Sequence, residues 1–122
     1  MTIVVFLPGR RADIIDALSV LAKLRPHETG RWPGLTEAVH WIIDDTLWDQ
    51  YHPRHDIGTI LVSAAEAAAV SATLDHLMVV LDELGPMAAD DDYLAHPRWH
   101  EVAHAAADAH RLMTGERQLP AT

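Results

Sequence analysis

At 122 residues, 49% of them apolar and none of them cysteine, the chain is long enough for one domain (1–122) with its own core. Its composition excludes disulfides and thiolate metal sites. The formal charge of −9, from 18 acids against nine lysines and arginines, repels phosphate backbones and argues against nucleic-acid binding. The same charge suits a basic protein partner, or serves solubility alone.

Residues 3–7 are apolar but short, nothing basic precedes them, and Arg10 and Arg11 follow, the reverse of a signal peptide. A cytoplasmic protein without a membrane segment is expected. The run TIVVFL closes at Pro8-Gly9 and reads as a short strand or an apolar arm. From Arg10 to about Arg25 the pattern turns helical, with Ile14, Ile15, Leu18, Leu21 and Ala22 on one face and Pro26 as the stop. Residues 26–34 hold two prolines and two glycines and predict a loop, with Trp32 folded back as a lid.

Leu35 to about Trp48 is dense in apolar residues and reads as a helix opened by Thr36 and Glu37. Val39, Trp41 and Ile43 also alternate as a strand would. After the polar stretch 49–56, Ile57 to Val62 is a second β-like run. It is a candidate to pair with residues 3–7 in a minor two-stranded ribbon.

The segment 63–85 organises the chain. Ser63 and Glu66 have capping-box spacing, in which the hydroxyl accepts the N–H of Glu66 and the carboxylate accepts that of Ser63. Gly85 and Pro86 close the helix. Between them Ala67, Val70, Leu74, Leu77, Leu81 and Leu84 step by three and four, along a helix of roughly 31 Å. Glu66, Asp75 and His76 interrupt it as a membrane span. The seam is core, or long enough for a homodimer contact. Residues 87–95 predict an acidic loop. A last helix begins near Pro97, buries Trp99, Val102, Ala103, Ala106, Ala109 and Met113, and stops at Gly115. The expected fold is all-α, a compact bundle of about four helices around the long central helix 64–84, with residues 115–122 as a frayed tail.

His100-Glu101-Val102-Ala103-His104 is an HExxH sequence, which in zinc peptidases sets two imidazoles one turn apart with the glutamate as base. The zinc hydrolase it implies would use His100 and His104 as ligands and Glu101 for catalysis. Against it, the long form needs glycine at position 107, and Ala107 continues the helix, leaving His110 about 240° round the axis from His104. His96, His100 and His104 also follow at i, i+4 and i+8, a row that could chelate a divalent metal with Asp90, Asp91 or Asp92 nearby. A solvated histidine row is the simpler account. His40 and Asp44 lie one turn apart and can hydrogen-bond as an oriented base would, but no nucleophile accompanies them. The simpler account makes Asp44 or Asp45 a helix-end partner of Arg54 or Arg98. His55-Asp56 has the HD dyad of metal phosphohydrolases without the remaining ligands.

The segments AVHWIIDDT (38–46), DIGTIL (56–61) and YLAHPRW (93–99), in this order and spacing, resemble a family of small acidic actinobacterial proteins of unknown function. The resemblance runs from about Arg31 to Met113 and implies no established activity. Size and charge are similar to those of immunity and antitoxin proteins that cover a basic surface. The expected role is therefore binding rather than catalysis. Its partner face would comprise Asp44, Asp45, Asp49, Asp90, Asp91, Asp92, Trp48 and Tyr51, with Trp32 and Tyr93 as further loop aromatics, and no cofactor. The alternative is the zinc hydrolase.

Overall fold

The computed structural model describes residues 6–25, 33–85 and 87–115. Their backbone is helical, with no strand among the described residues. The helices are α1 (Pro8–Lys23), α2 (Leu35–Val39), α3 (Ala64–Leu84), α4 (Asp90–Ala95) and α5 (Trp99–Thr114). A π-helical turn, His40–Asp44, continues α2, and a 3-10 turn, Pro53–Asp56, precedes α3. The all-α bundle expected from the sequence is present.

α3 starts and stops where its punctuation places it. Ser63 Oγ accepts the N–H of Glu66 at 3.2 Å, and Gly85 ends the helix at φ 81°. Its seam is core: Ala67, Val70, Leu74, Leu77 and Leu81 are buried. By length and hydropathy α3 is the one described helix able to cross a membrane. α5 presents Trp99, Val102, Ala106, Ala109 and Met113 to the core and packs against both α1 and α3, whose backbones do not pack on each other. α2 and its π turn cover the free side of α1 with Leu35, Ala38, Val39, Ile42 and Ile43.

One side chain bridges what the backbones leave apart. Arg11 on α1 forms a bidentate pair with Glu66 on α3, both bonds 2.8 Å, and donates to the carbonyls of Ile60 (3.0 Å) and Met113 (3.1 Å). Glu66, 3% exposed, also accepts the N–H of Val62 at 2.8 Å. The capping box is therefore half formed. The serine side holds, but the carboxylate bonds Arg11 and the Val62 N–H rather than the Ser63 N–H, because the half-buried guanidinium fork is the stronger partner.

Several expectations need correction. α1 begins at Pro8, two residues early, because proline suits a first turn that lacks a use for its N–H. Residues 57–61 form a tight turn, in which the Asp56 carbonyl accepts the N–H groups of Thr59, Ile60 and Leu61 and Gly58 sits at φ 94°. Ile57 and Leu61 make only an isolated bridge. Phe6 and Leu7 donate to the carbonyls of Gly58 and Thr59, while residues 3–5 of the expected ribbon, like the Trp32 lid, lie outside the described residues.

The acidic segment 90–95 is a helix rather than a loop, since aspartates in a first turn meet the positive end of the helix dipole. Asp90 Oδ1 accepts the N–H of Leu35 at 3.2 Å, so α4 caps the start of α2. Buried Tyr93 donates its hydroxyl to the Gly85 carbonyl (2.6 Å) and accepts the Ala88 N–H (3.2 Å), locking the turn from α3 into α4. α5 begins at Trp99, after a His96-Pro97-Arg98 turn in which His96 Nδ1 accepts the Arg98 N–H at 3.0 Å. His52-Pro53-Arg54 repeats that geometry at the 3-10 turn, also at 3.0 Å.

Removing one partner of a buried ion pair costs about 3–5 kcal/mol, because the other charge stays behind. Arg11→Met, which strands the buried carboxylate, is expected to lose about that much in denaturant unfolding, and Glu66→Leu, which strands a half-buried guanidinium, to lose less. Arg11→Met/Glu66→Leu should lose less than the sum of the two. Strict additivity would show that the pair is not coupled.

Candidate functional site

The second half of α2 and its π turn carry the residues with chemistry. In an α-helix the residues three and four positions on lie beneath a side chain, and the one five positions on does not. Here the Asp45 N–H bonds the His40 carbonyl at 3.0 Å, five residues back, so the extra residue brings Asp45 under His40 as well. His40 Nδ1 lies 3.0 Å from Asp44 Oδ2 and His40 Nε2 lies 3.3 Å from Asp45 Oδ1. Asp45 Oδ2 pairs with Arg10 at 3.1 Å. The hydrogen bond that His40 donates to Asp44, with the charge of Asp45 behind it, raises His40 above the ordinary 6.5. His40 therefore has the partner expected for it. Asp45 pairs with Arg10, not with Arg54 or Arg98.

His40 and Asp44 face a cleft of roughly 340 Å³ shared with Thr36, Glu37, Val39, Trp41 and Met87. Glu37 is fixed there by its Oε1, which accepts the Gly34 N–H at 2.7 Å. Met87, 80% exposed, closes the far side three residues before Asp90. The cleft therefore joins the π turn to the start of α4, where Asp91 and Asp92 are exposed. Glu37, Trp41 and Met87 were missed by sequence reasoning. The spacing 37, 40, 41, 44 is a helical face and could have flagged the first two.

The remaining acidic and aromatic candidates lie elsewhere. Asp49 and Tyr51 line a separate hollow with His52, Asp75 and Met78. Trp48 is 5% exposed and its Nε1 donates to Asp56 Oδ2 at 2.7 Å, which makes it a fastener of the turn. Asp56 is thus held by Trp48 within the His55-Asp56 pair. Buried Tyr93 is likewise structural.

The HExxH residues line a groove of roughly 480 Å³ between α5 and α3, with His76, Asp108, Ala69, Ala72 and Ala105. Glu101 Oε1 lies 3.1 Å from Arg98 Nε and 3.6 Å from His76 Nδ1, and His104 Nε2 lies 3.6 Å from Asp108 Oδ2. The hydrogen bond from Arg98 holds Glu101 below the ordinary carboxylate value of 4.5, whereas a general base at neutral pH needs the opposite shift. Among the described residues no three His, Asp or Glu side chains converge as metal ligands. The histidine row is broken as well. His96 precedes α5, and its side chain is 5% exposed against Glu83 at 2.8 Å. This donor set does not fit a catalytic zinc, and no step is derived through one.

The family model described as "Domain of unknown function (DUF7945)" matches residues 5–118. The chain belongs to that family. This agrees with the resemblance carried by residues 38–46, 56–61 and 93–99 to a family without an established activity. No curated protein and no solved structure matches.

A raised imidazole contributes stability fully below its unfolded value and loses it as pH climbs through the folded one. In an NMR titration His40 is expected to reach its midpoint above 6.5, and Asp44→Asn should lower it more than Asp45→Asn, because the Asp44 hydrogen bond is the largest cause. A wild-type midpoint at or below 6.5 would disprove the pairing. Protein purified without chelator is expected to carry far less than one zinc per chain, with no change in His100→Ala/His104→Ala. One equivalent lost in that variant would revive the hydrolase.

Proposed function

We propose that this protein is a cytoplasmic binding module for a basic protein partner, in the manner of immunity or antitoxin proteins. Its acidic face comprises Glu37, Asp44, Asp91 and Asp92. The observation that carries this reading is where the positive charges go. Arg10, Arg11, Arg98 and Arg111 are drawn into pairs with Asp45, Glu66, Glu101 and Asp108. Among the described residues neither Asp91 nor Asp92 forms an ion pair, and Asp44 meets only His40. Such carboxylates face water at little cost and attract a cationic surface at long range. Complementary charge speeds encounter and fixes register, while nearby aromatic or apolar side chains supply affinity. Trp41 and Met87 line the same cleft as Glu37 and Asp44. Asp45 is left out of the contact set because Arg10 pairs with it; Glu37, whose Oε1 accepts the Gly34 N–H as Asp90 accepts that of Leu35, is included because it lines the same cleft as Asp44.

A photo-crosslinking residue at position 91 would identify the partner by mass spectrometry, with position 16 on α1 as the control. D44K/D91K/D92K is expected to weaken the measured affinity by about tenfold or more, chiefly through a slower on-rate that depends on salt. An unchanged Kd for the reversed-charge variant would retire this function.

A further inference from the structure

The structure assigns the uncovered face of α3 to a second copy of this chain, laid antiparallel across it about a two-fold axis level with Val70, so that Arg54 of each copy meets Asp75 of the other. This contact is separate from the acidic face described above, since α2 packs on α1 and makes no contact with α3.

α3 carries more apolar surface than its own domain uses. It is long and apolar enough to cross a membrane, yet well under half of its most apolar stretch is buried. Ala64, Ala65, Ala68 and Ala72 are exposed on the side away from the core. At 100° per residue, Ala68, Ala72 and Asp75 stand within about 60° of one another and form a low ridge. A hollow runs along either flank: the groove against α5, and one of roughly 420 Å³ lined by His52, Arg54, Ser71 and Asp75. Ala72 lines both. Helices pack ridge into groove at about 8–10 Å, nearest where the side chains in contact are small. A low ridge between two hollows is shaped to receive another helix.

The two charges on this face choose which helix. Among the described residues neither Arg54 nor Asp75 forms an ion pair, although both line one hollow. Arg54 shares that hollow with Ala64 and Ala68, whereas His52 and Pro53 line the next one with Leu74 and Met78, so Arg54 sits toward the start of α3. Asp75 lies about 10 Å beyond Ala68 along the helix. A wholly basic partner would meet Arg54, and a wholly acidic one would meet Asp75. The occupant needs both signs in the opposite order, which α3 of a second copy supplies when it runs antiparallel. A two-fold axis perpendicular to the helices keeps each flank on its own side and exchanges the ends. Level with Val70, it sets Ala68 against Ala72 and brings Asp75 to the level of Ala65, where Arg54 stands. That is also the first turn of the other α3, the positive end of its dipole. A parallel pair would instead set Arg54 level with Arg54.

The test is sedimentation equilibrium of the full chain over a wide concentration range, with circular dichroism to show that each variant is folded. The wild type is expected to associate to a dimer and no further. Ala72→Arg, which fills the ridge at an exposed position, should leave a folded monomer. Arg54→Asp and Asp75→Arg each set like charges across the axis and should weaken the dimer by about tenfold or more. Mixed in equal amounts, these two variants restore both oppositely charged pairs in a heterodimer, and association should return to near the wild-type constant. A wild type that stays monomeric at every concentration would overturn the proposal, as would a dimer untouched by Ala72→Arg. A mixture no stronger than either variant alone would overturn it too, because the antiparallel register is what pairs position 54 with position 75 of the other copy.

Discussion

A carboxylate taken out of water must be met by cations or N–H groups, and Glu66 is met by both. Its two oxygens hold Arg11 in a fork and one of them also accepts the Val62 N–H, while the guanidinium reaches two carbonyls more. Three separate stretches are thereby referred to one point: the start of α1, the turn before α3 and the end of α5. The helix backbones do not do this directly, since α1 and α3 make no contact with each other and share only α5 as a neighbour. Apolar burial drives collapse without regard to direction. The pair adds what burial lacks, a fixed register of three elements around a charge that has no other place to go.

The parts of the fold legible in the sequence were those whose signals are local. α3 carries its cap, its seam and its stop within twenty-odd residues, and α5 has a stripe ended by glycine. What escaped depended on residues far apart in the chain. Glu66 announced a capping box, but its true partner lies 55 positions away. Three aspartates in a row read as solvated loop, yet their helix is held by a tyrosine hydroxyl between two backbone groups and by an amide it caps on α2. In the run 57–62 the N–H groups of Thr59, Ile60 and Leu61 close on the Asp56 carbonyl, while the carbonyls of Gly58 and Thr59 accept from Phe6 and Leu7.

For the site, residue types outran geometry. Glu101 sits in a zinc-peptidase sequence, but an arginine three residues earlier captures it, and a charge-stabilised carboxylate is the wrong instrument for taking protons. The aspartates were legible as an acidic surface and not as a set with different tasks. Only contacts separate Asp90 and Asp45, which the fold consumes, from Asp44, Asp91 and Asp92, which it leaves facing water. Trp48 and Trp41, seven residues apart, divide in the same way. One fastens a turn and the other walls a cleft.

The π turn at 40–44 is, in register, one residue more than an α-helix would use over the same length. Deleting a single residue there would let α2 run on as a regular helix while its upstream core contacts through Leu35, Ala38 and Val39 stayed in place. Because the wide turn absorbs the extra residue, everything after the deletion would keep its register. Asp45 would then stand four positions after His40 and stay beneath it, while Asp44, if retained, would move from the fourth position to the third. The acidic cluster is thus written as much in the spacing of the chain as in its letters. A relative with identical residues but one fewer in this turn would share the fold and present a different surface.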